Sequence, residues 1–72
     1  MDDQKIGLTI DEAASYTGIG RNTLRKLVEW DKIPVLRIGR KTIIRVDTLN
    51  DFMKVNQGCD LLERNQVRKV DW

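Results

Sequence analysis

The residues best suited to binding chemistry are cationic, and they are concentrated in the middle of the chain. Between positions 21 and 45 there are eight basic residues and two acidic ones, a net charge of +6. Because the whole chain carries +2, the remaining residues together carry −4. Such segregation in 72 residues is typical of a protein with a polyanionic partner, although a solvated basic face would have the same composition.

One face of a predicted helix carries several of these polar residues. Over residues 21–30, Leu24, Leu27 and Val28 follow the i, i+3, i+4 spacing of a buried stripe. The opposite face carries arginines and Asn22, which can pair bidentately with guanine and adenine, respectively, in a major groove. Lys26 fits a phosphate contact and a solvated lysine equally well. The candidate DNA contacts on this helix are Arg21, Asn22, Thr23, Arg25 and Lys26.

A short β-hairpin is predicted to follow, because residues 35–46 are rich in β-branched side chains around a central Gly39. A two-residue loop of Gly39 and Arg40 would pair Ile38 with Lys41 and put a lysine beside the core. We predict instead a three-residue loop, residues 39–41, which pairs Ile38 with Thr42 and collects apolar side chains on one face. That face holds Leu36, Ile38, Ile44 and Val46. The candidate wing contacts, at or near the tip, are Arg37, Arg40, Lys41 and Arg45.

Two further helices are predicted on either side of these elements. Thr9 and Glu12 have the spacing of a capping box, and Gly18 suits the left-handed residue that ends a helix. Another helix is predicted to begin with Asp47 as its N-cap. Its core-facing residues are Leu49, Phe52 and Met53. The predicted fold class is therefore mainly α with a small β-hairpin, arranged as a winged helix-turn-helix.

The chain is predicted to divide into three segments. Residues 1–7 are expected to be a flexible N-terminus, residues 8–55 a single small winged-helix domain, and residues 56–72 a C-terminal tail. The tail could form an amphipathic helix that binds a partner protein, or it could be a frayed terminus. Its candidate partner-binding residues are Leu61, Leu62, Val67 and Trp72.

The composition excludes several kinds of enzyme. The chain has no histidine and one cysteine, Cys59, so it lacks a Ser-His-Asp triad, a Cys-His dyad, an internal disulfide and an ordinary zinc site. Asp47, Asp51 and Asp60 are better explained as a helix cap and surface residues than as a metal cluster. We therefore expect no catalytic residue, metal or cofactor. No apolar stretch is long enough to cross a bilayer, so we expect a cytoplasmic protein with no membrane partner.

An ordered set of five motifs resembles a known family. Together they resemble the excisionase-type DNA-binding domain, a compact winged helix related to the DNA-binding heads of MerR-type regulators, and they span about residues 8–54. The motifs are Leu8–Ala14, Gly18–Leu24, Lys32–Pro34, Arg37–Lys41 and Val46–Leu49.

The resemblance implies a recombination directionality factor of a bacterial mobile element. Such a protein binds and bends double-stranded DNA at the element ends and helps a partner integrase to excise. The apolar residues of the tail could dock on that integrase or on a further copy of the protein along the DNA. The resemblance also implies that Arg21, Asn22 and Arg25 lie on the recognition helix, and that Arg37, Arg40 and Lys41 lie on the wing. The sequence departs from the family pattern at Gly20, where a hydroxyl-bearing cap is usual, and at Asp31, where glycine is common.

Other functions remain open at this point. A small helix-turn-helix transcriptional regulator would use the same domain, although no coiled coil or effector pocket follows it here. A protein-interaction module would instead present the basic face to an acidic protein. A nuclease or recombinase is disfavoured by the interpretation of the aspartates given above.

Overall fold

The structure, a computed structural model, describes residues 6–70. Within this range the chain forms three helices and a three-stranded antiparallel sheet, followed by a segment without helix or strand from residue 56. In chain order the elements are β1 (Gly7–Leu8), α1 (Ile10–Thr17), α2 (Arg21–Glu29), β2 (Leu36–Ile38), β3 (Lys41–Arg45) and α3 (Val46–Val55). The strand order is β1-β3-β2. This arrangement confirms the predicted winged helix-turn-helix, with β1 as an additional strand.

Strand β1 lies partly in the segment that was expected to be flexible. Gly7 pairs with Arg45 of β3, and the Val46 N–H donates to the Ile6 carbonyl at 2.9 Å. A Cβ at Gly7 would lie 2.6 Å from Cγ2 of Ile43, so only glycine fits this close approach without movement. The N-terminal boundary at residue 7 is therefore wrong for Ile6 and Gly7, while residues 1–5 lie outside the described residues.

Helix α1 begins and ends where the sequence predicted. The Thr9 N–H donates to Oε1 of Glu12 at 3.0 Å, and the Glu12 N–H donates to Oγ1 of Thr9 at 3.2 Å, which completes the capping box. At the other end Gly18 has a φ of +79°, and its N–H donates to the Ala14 carbonyl. The capping box and Gly18 thus limit α1 to Ile10–Thr17, and the left-handed Gly18 redirects the chain toward α2.

Helix α2 is amphipathic as predicted. Leu24 and Leu27 are completely buried, and Val28 packs against the same core. Gly20 is the N-cap and supplies no side-chain hydrogen bond to the first turn. Just beyond the helix, Asp31 takes a φ of +60°, a conformation that aspartate tolerates better than most residues. Burial of one face leaves the polar face of α2 in solvent.

The hairpin differs from the predicted register by one residue. Leu36 pairs with Ile43 and Ile38 with Lys41, so the loop is the two-residue Gly39-Arg40 rather than the three-residue alternative. The objection to this loop was a lysine beside the core, but residues 36–41 are all exposed, so Lys41 does not lie in the core. The inner face is instead set by the completely buried Ile44. A shift of one residue in the pairing moves the side chains of β2 to the opposite face of the hairpin from the one predicted. Leu36 and Ile38 therefore point away from Ile44 and are 55% and 66% exposed.

Helix α3 closes the core but begins earlier than predicted. Its first residue is Val46, so Asp47 is not the N-cap; it lies in the first turn, where its Oδ1 accepts from the Thr48 N–H at 2.9 Å. Leu49 and Phe52 are completely buried, as predicted, whereas Met53, which was also predicted to face the core, is 41% exposed.

The tail contains no helix between residues 56 and 70 and consists of turns and irregular segments. It nevertheless packs on the domain, because Val67 and Val70 are buried in the common core. The Val70 N–H donates to the Lys32 carbonyl at 3.1 Å, which ties the tail to the segment after α2. The helical alternative for the tail is therefore wrong over these residues.

Candidate nucleic-acid interface

A cleft of about 430 Å³ lies between α2 and the hairpin, and four cations line it. Arg25 comes from α2, and Arg37, Arg40 and Lys41 come from the hairpin. All four are exposed. Within residues 6–70, the one hydrogen bond made by their side chains joins Nη1 of Arg25 to Oδ1 of Asn22 at 3.5 Å, which is long for such a bond. These four cations therefore form no ion pair with any carboxylate in the described part of the chain.

The observed hairpin register is what turns Arg37 toward α2. Residues directly opposite in an antiparallel pair point to the same face, and Arg37 is opposite Thr42. Both line the cleft, and they lie on the same face of the hairpin as buried Ile44. Cations of the hairpin and of α2 consequently border one space rather than two separate surfaces.

The start of α2 adds further exposed polar groups beside this cleft. Arg21 and Asn22 are exposed in the first turn, and Nη1 of Arg21 donates to Oδ1 of Asp11 in α1 at 3.1 Å. Because Gly20 has no side chain, it offers no side-chain acceptor to the first backbone N–H groups of α2. Thr23 is half-buried, and Lys26 is exposed but does not line the cleft.

Arg45 is not brought together with the other wing residues. It lies on the opposite face of β3 from Ile44, beside Leu36 and Ile43, where it lines a separate groove. Its Nη2 donates to Oδ2 of Asp47 at 2.6 Å. The structure therefore separates Arg45 from the cleft that holds the other candidate wing residues.

The candidate tail residues fall into three environments. Val67 is 3% exposed in the core, so its side chain is not available to a partner, contrary to its assignment from the sequence. Leu61 is half-buried against the same core, and Leu62 is exposed. Trp72 lies outside the described residues.

Two carboxylates at the cleft were not assigned a binding role from the sequence. Asp11 lies in the first turn of α1, where a carboxylate suits the helix dipole, and only the crossing of α1 and α2 reveals its contact with Arg21. Glu29 lines the cleft one helical turn after Arg25, and that i, i+4 spacing was the one signal available in the sequence.

Neither a cluster of metal ligands nor a membrane-spanning helix is found in residues 6–70. No group of three or more histidine, cysteine, aspartate or glutamate side chains is placed to hold a metal ion in this range. Among the same residues, no helix has both the length and the apolar character needed to cross a membrane.

Comparison with known proteins identifies a family. Neither a search of curated proteins nor a search of solved structures gave a match. The family model described as "Helix-turn-helix domain" matches residues 8–63. This family includes excisionase-like DNA-binding proteins, is typically non-enzymatic, and its domain suggests that the partner is DNA. The chain belongs to the helix-turn-helix domain family.

Proposed function

We propose that this protein is an excisionase: a sequence-specific DNA-binding protein that binds and bends the ends of a bacterial mobile element and helps a partner integrase to excise it. In this proposal the protein acts in the cytoplasm, bound to nucleoid DNA. The observation that carries the DNA-binding part is the cleft in which cations of α2 and of the hairpin converge, none of them in an ion pair with a carboxylate of residues 6–70.

The geometry supports different contacts of α2 and of the hairpin with one duplex. The exposed first turn of α2 carries Arg21 and Asn22, whose side chains suit base edges in a major groove. Arg40 and Lys41 at the hairpin tip suit the adjacent backbone or minor groove. A sugar-phosphate strand lying in the cleft would then pass between the two elements and meet Arg25 and Arg37. Contacts on both sides of one strand favour a defined orientation of the protein on the duplex.

The excisionase role rests on the family resemblance. The integrase and further copies of the protein remain proposed partners. Because the tail packs on the core and buries Val67, a docking partner would have to use its exposed residues, of which Leu62 is one.

DNA binding is tested by selecting duplexes from a randomised library and titrating salt. If the four cleft cations each neutralise one phosphate, log K should fall with log salt at a slope of roughly −3.6, about a 10²-fold loss between 50 and 200 mM. Arg40→Ala should weaken all sequences alike and reduce the slope by about 1. Lys54→Ala is the matched control, because Lys54 is exposed on α3 away from the cleft. Salt-independent binding, or equal effects of the two variants, would contradict the proposed interface.

The role in excision is tested by a footprint and a reconstituted reaction. Protection across the ends of a mobile element, and stimulation of excision by its integrase, are the expected results. Protection confined to a promoter, with no effect on excision, would show a small transcriptional regulator instead.

A further inference from the structure

We propose that Asp11 is a positioning residue that sets DNA sequence discrimination by orienting Arg21. This inference rests on the proposed DNA binding and assigns a role to a residue that does not itself read a base. Asp11 lies in the first turn of α1, and Arg21 is the first residue of α2. Nη1 of Arg21 donates to Oδ1 of Asp11 at 3.1 Å, and the two side chains remain 59% and 69% exposed.

The backbone around Asp11 is well fixed. The reciprocal bonds between Thr9 and Glu12 hold the turn that contains Asp11, and the left-handed Gly18 sets the path from α1 into α2. The carboxylate therefore has a defined place relative to the start of α2. A long arginine side chain held at that point loses less rotamer freedom when it meets DNA.

The contact leaves most of the arginine fork available. A guanidinium carries five N–H donors, and one of them is directed at Asp11. The remaining donors suffice for a bidentate contact with O6 and N7 of guanine. Because both partners are exposed, a DNA base can approach without first disrupting a buried pair.

The negative charge of Asp11 lowers the affinity for DNA, although its contact with Arg21 favours discrimination between sequences. Asp11 lines the cationic cleft, where its carboxylate would repel DNA phosphates of any sequence. Asp11→Asn should strengthen non-specific binding. It should also hold Arg21 less firmly, because a neutral amide oxygen is a weaker acceptor for a guanidinium than a carboxylate is. Discrimination, the ratio of affinities for a selected duplex and a scrambled one, should therefore fall even as general affinity rises.

The test compares Asp11→Asn with Asp31→Asn in the full chain. Both substitutions raise the net charge by one, but Asp31 pairs with Lys69 instead of Arg21, and its left-handed backbone accepts asparagine. The probes are the best duplex selected by the wild-type protein from a randomised library and a scrambled duplex of equal length and composition. Asp11→Asn should lower the affinity ratio about two- to ten-fold, whereas Asp31→Asn should leave it unchanged.

A second comparison removes Arg21 itself. In an Arg21→Ala background, Asp11→Asn should no longer change the ratio, because the side chain that it orients is gone. The inference is overturned if Asp11→Asn shifts both duplexes by the same factor, as the control should, or if it still lowers the ratio without Arg21. A wild-type protein that does not distinguish the selected from the scrambled duplex would refute the proposed function itself.

Discussion

Replacing Asn56 with alanine should loosen the tail from the domain. Asn56 is buried, its Nδ2 donates to the carbonyls of Phe52 and Arg68 at 3.0 Å each, and its Oδ1 accepts from the Arg68 N–H at 2.7 Å. One amide side chain thus joins the last turn of α3 to a tail residue twelve positions away. Alanine would remove all three bonds.

The expected loss is large for a domain of this size. Three hydrogen bonds at about 0.5–1.5 kcal/mol each contribute roughly 1.5–4.5 kcal/mol. Arg68 is exposed, so water can replace its two bonds in the variant, and the net loss should be about 2 kcal/mol. A 72-residue domain has a free energy of unfolding of about 4–11 kcal/mol. The variant should therefore melt roughly 8–16 °C lower than the wild-type protein.

Urea unfolding followed by circular dichroism measures this loss. Asn65→Ala is the matched control, because Asn65 is exposed in a turn of the same tail and forms no hydrogen bond within residues 6–70. We expect the control to stay within about 0.5 kcal/mol of the wild type. If both alanine variants unfold at the same urea concentration, the tail is not held by Asn56, and our account of the C-terminal segment is wrong.

Three other stability measurements test the sheet and α3. Ile44→Thr should lower the free energy of unfolding by roughly 2–4 kcal/mol, because Ile44 is completely buried. Ile38→Thr should lower it by less than about 0.5 kcal/mol, because Ile38 is 66% exposed. Equal losses in the two variants would favour the three-residue loop. Thr48→Val should stabilise the protein by about 1 kcal/mol in urea unfolding, since the buried Thr48 hydroxyl has no hydrogen-bond partner within residues 6–70; a lower midpoint would show an unseen partner. Gly7→Ala should destabilise by roughly 1 kcal/mol on thermal melting, because its Cβ would lie 2.6 Å from Cγ2 of Ile43; an unchanged melting temperature would contradict this packing.

The features that were predictable from sequence are those set by neighbouring residues. The capping box at Thr9, the left-handed Gly18 and the buried stripe of α2 each depend on residues within one or two helical turns. The features that were missed depend on contacts between distant residues. Pairing of Leu8 with Ile44 brings a third strand to the sheet, and the bonds of Asn56 hold the tail. No local periodicity encodes these contacts.

The observed register of the hairpin buries less apolar surface than the predicted one, but it brings cations together in the cleft. With Ile44 anchored in the core beside Leu8, the alternation of β3 and β2 directs Arg37 toward α2 and Leu36 away from it. The rejected register would have buried more apolar surface near the tip, but it would have pointed Arg37 to the other face, away from Arg25. Because alternate side chains of β2 point to opposite faces, the same register exposes Leu36 and Ile38 and brings Arg37 to the cleft beside Arg25. A cleft suited to a phosphate strand therefore requires the exposed Leu36 and Ile38.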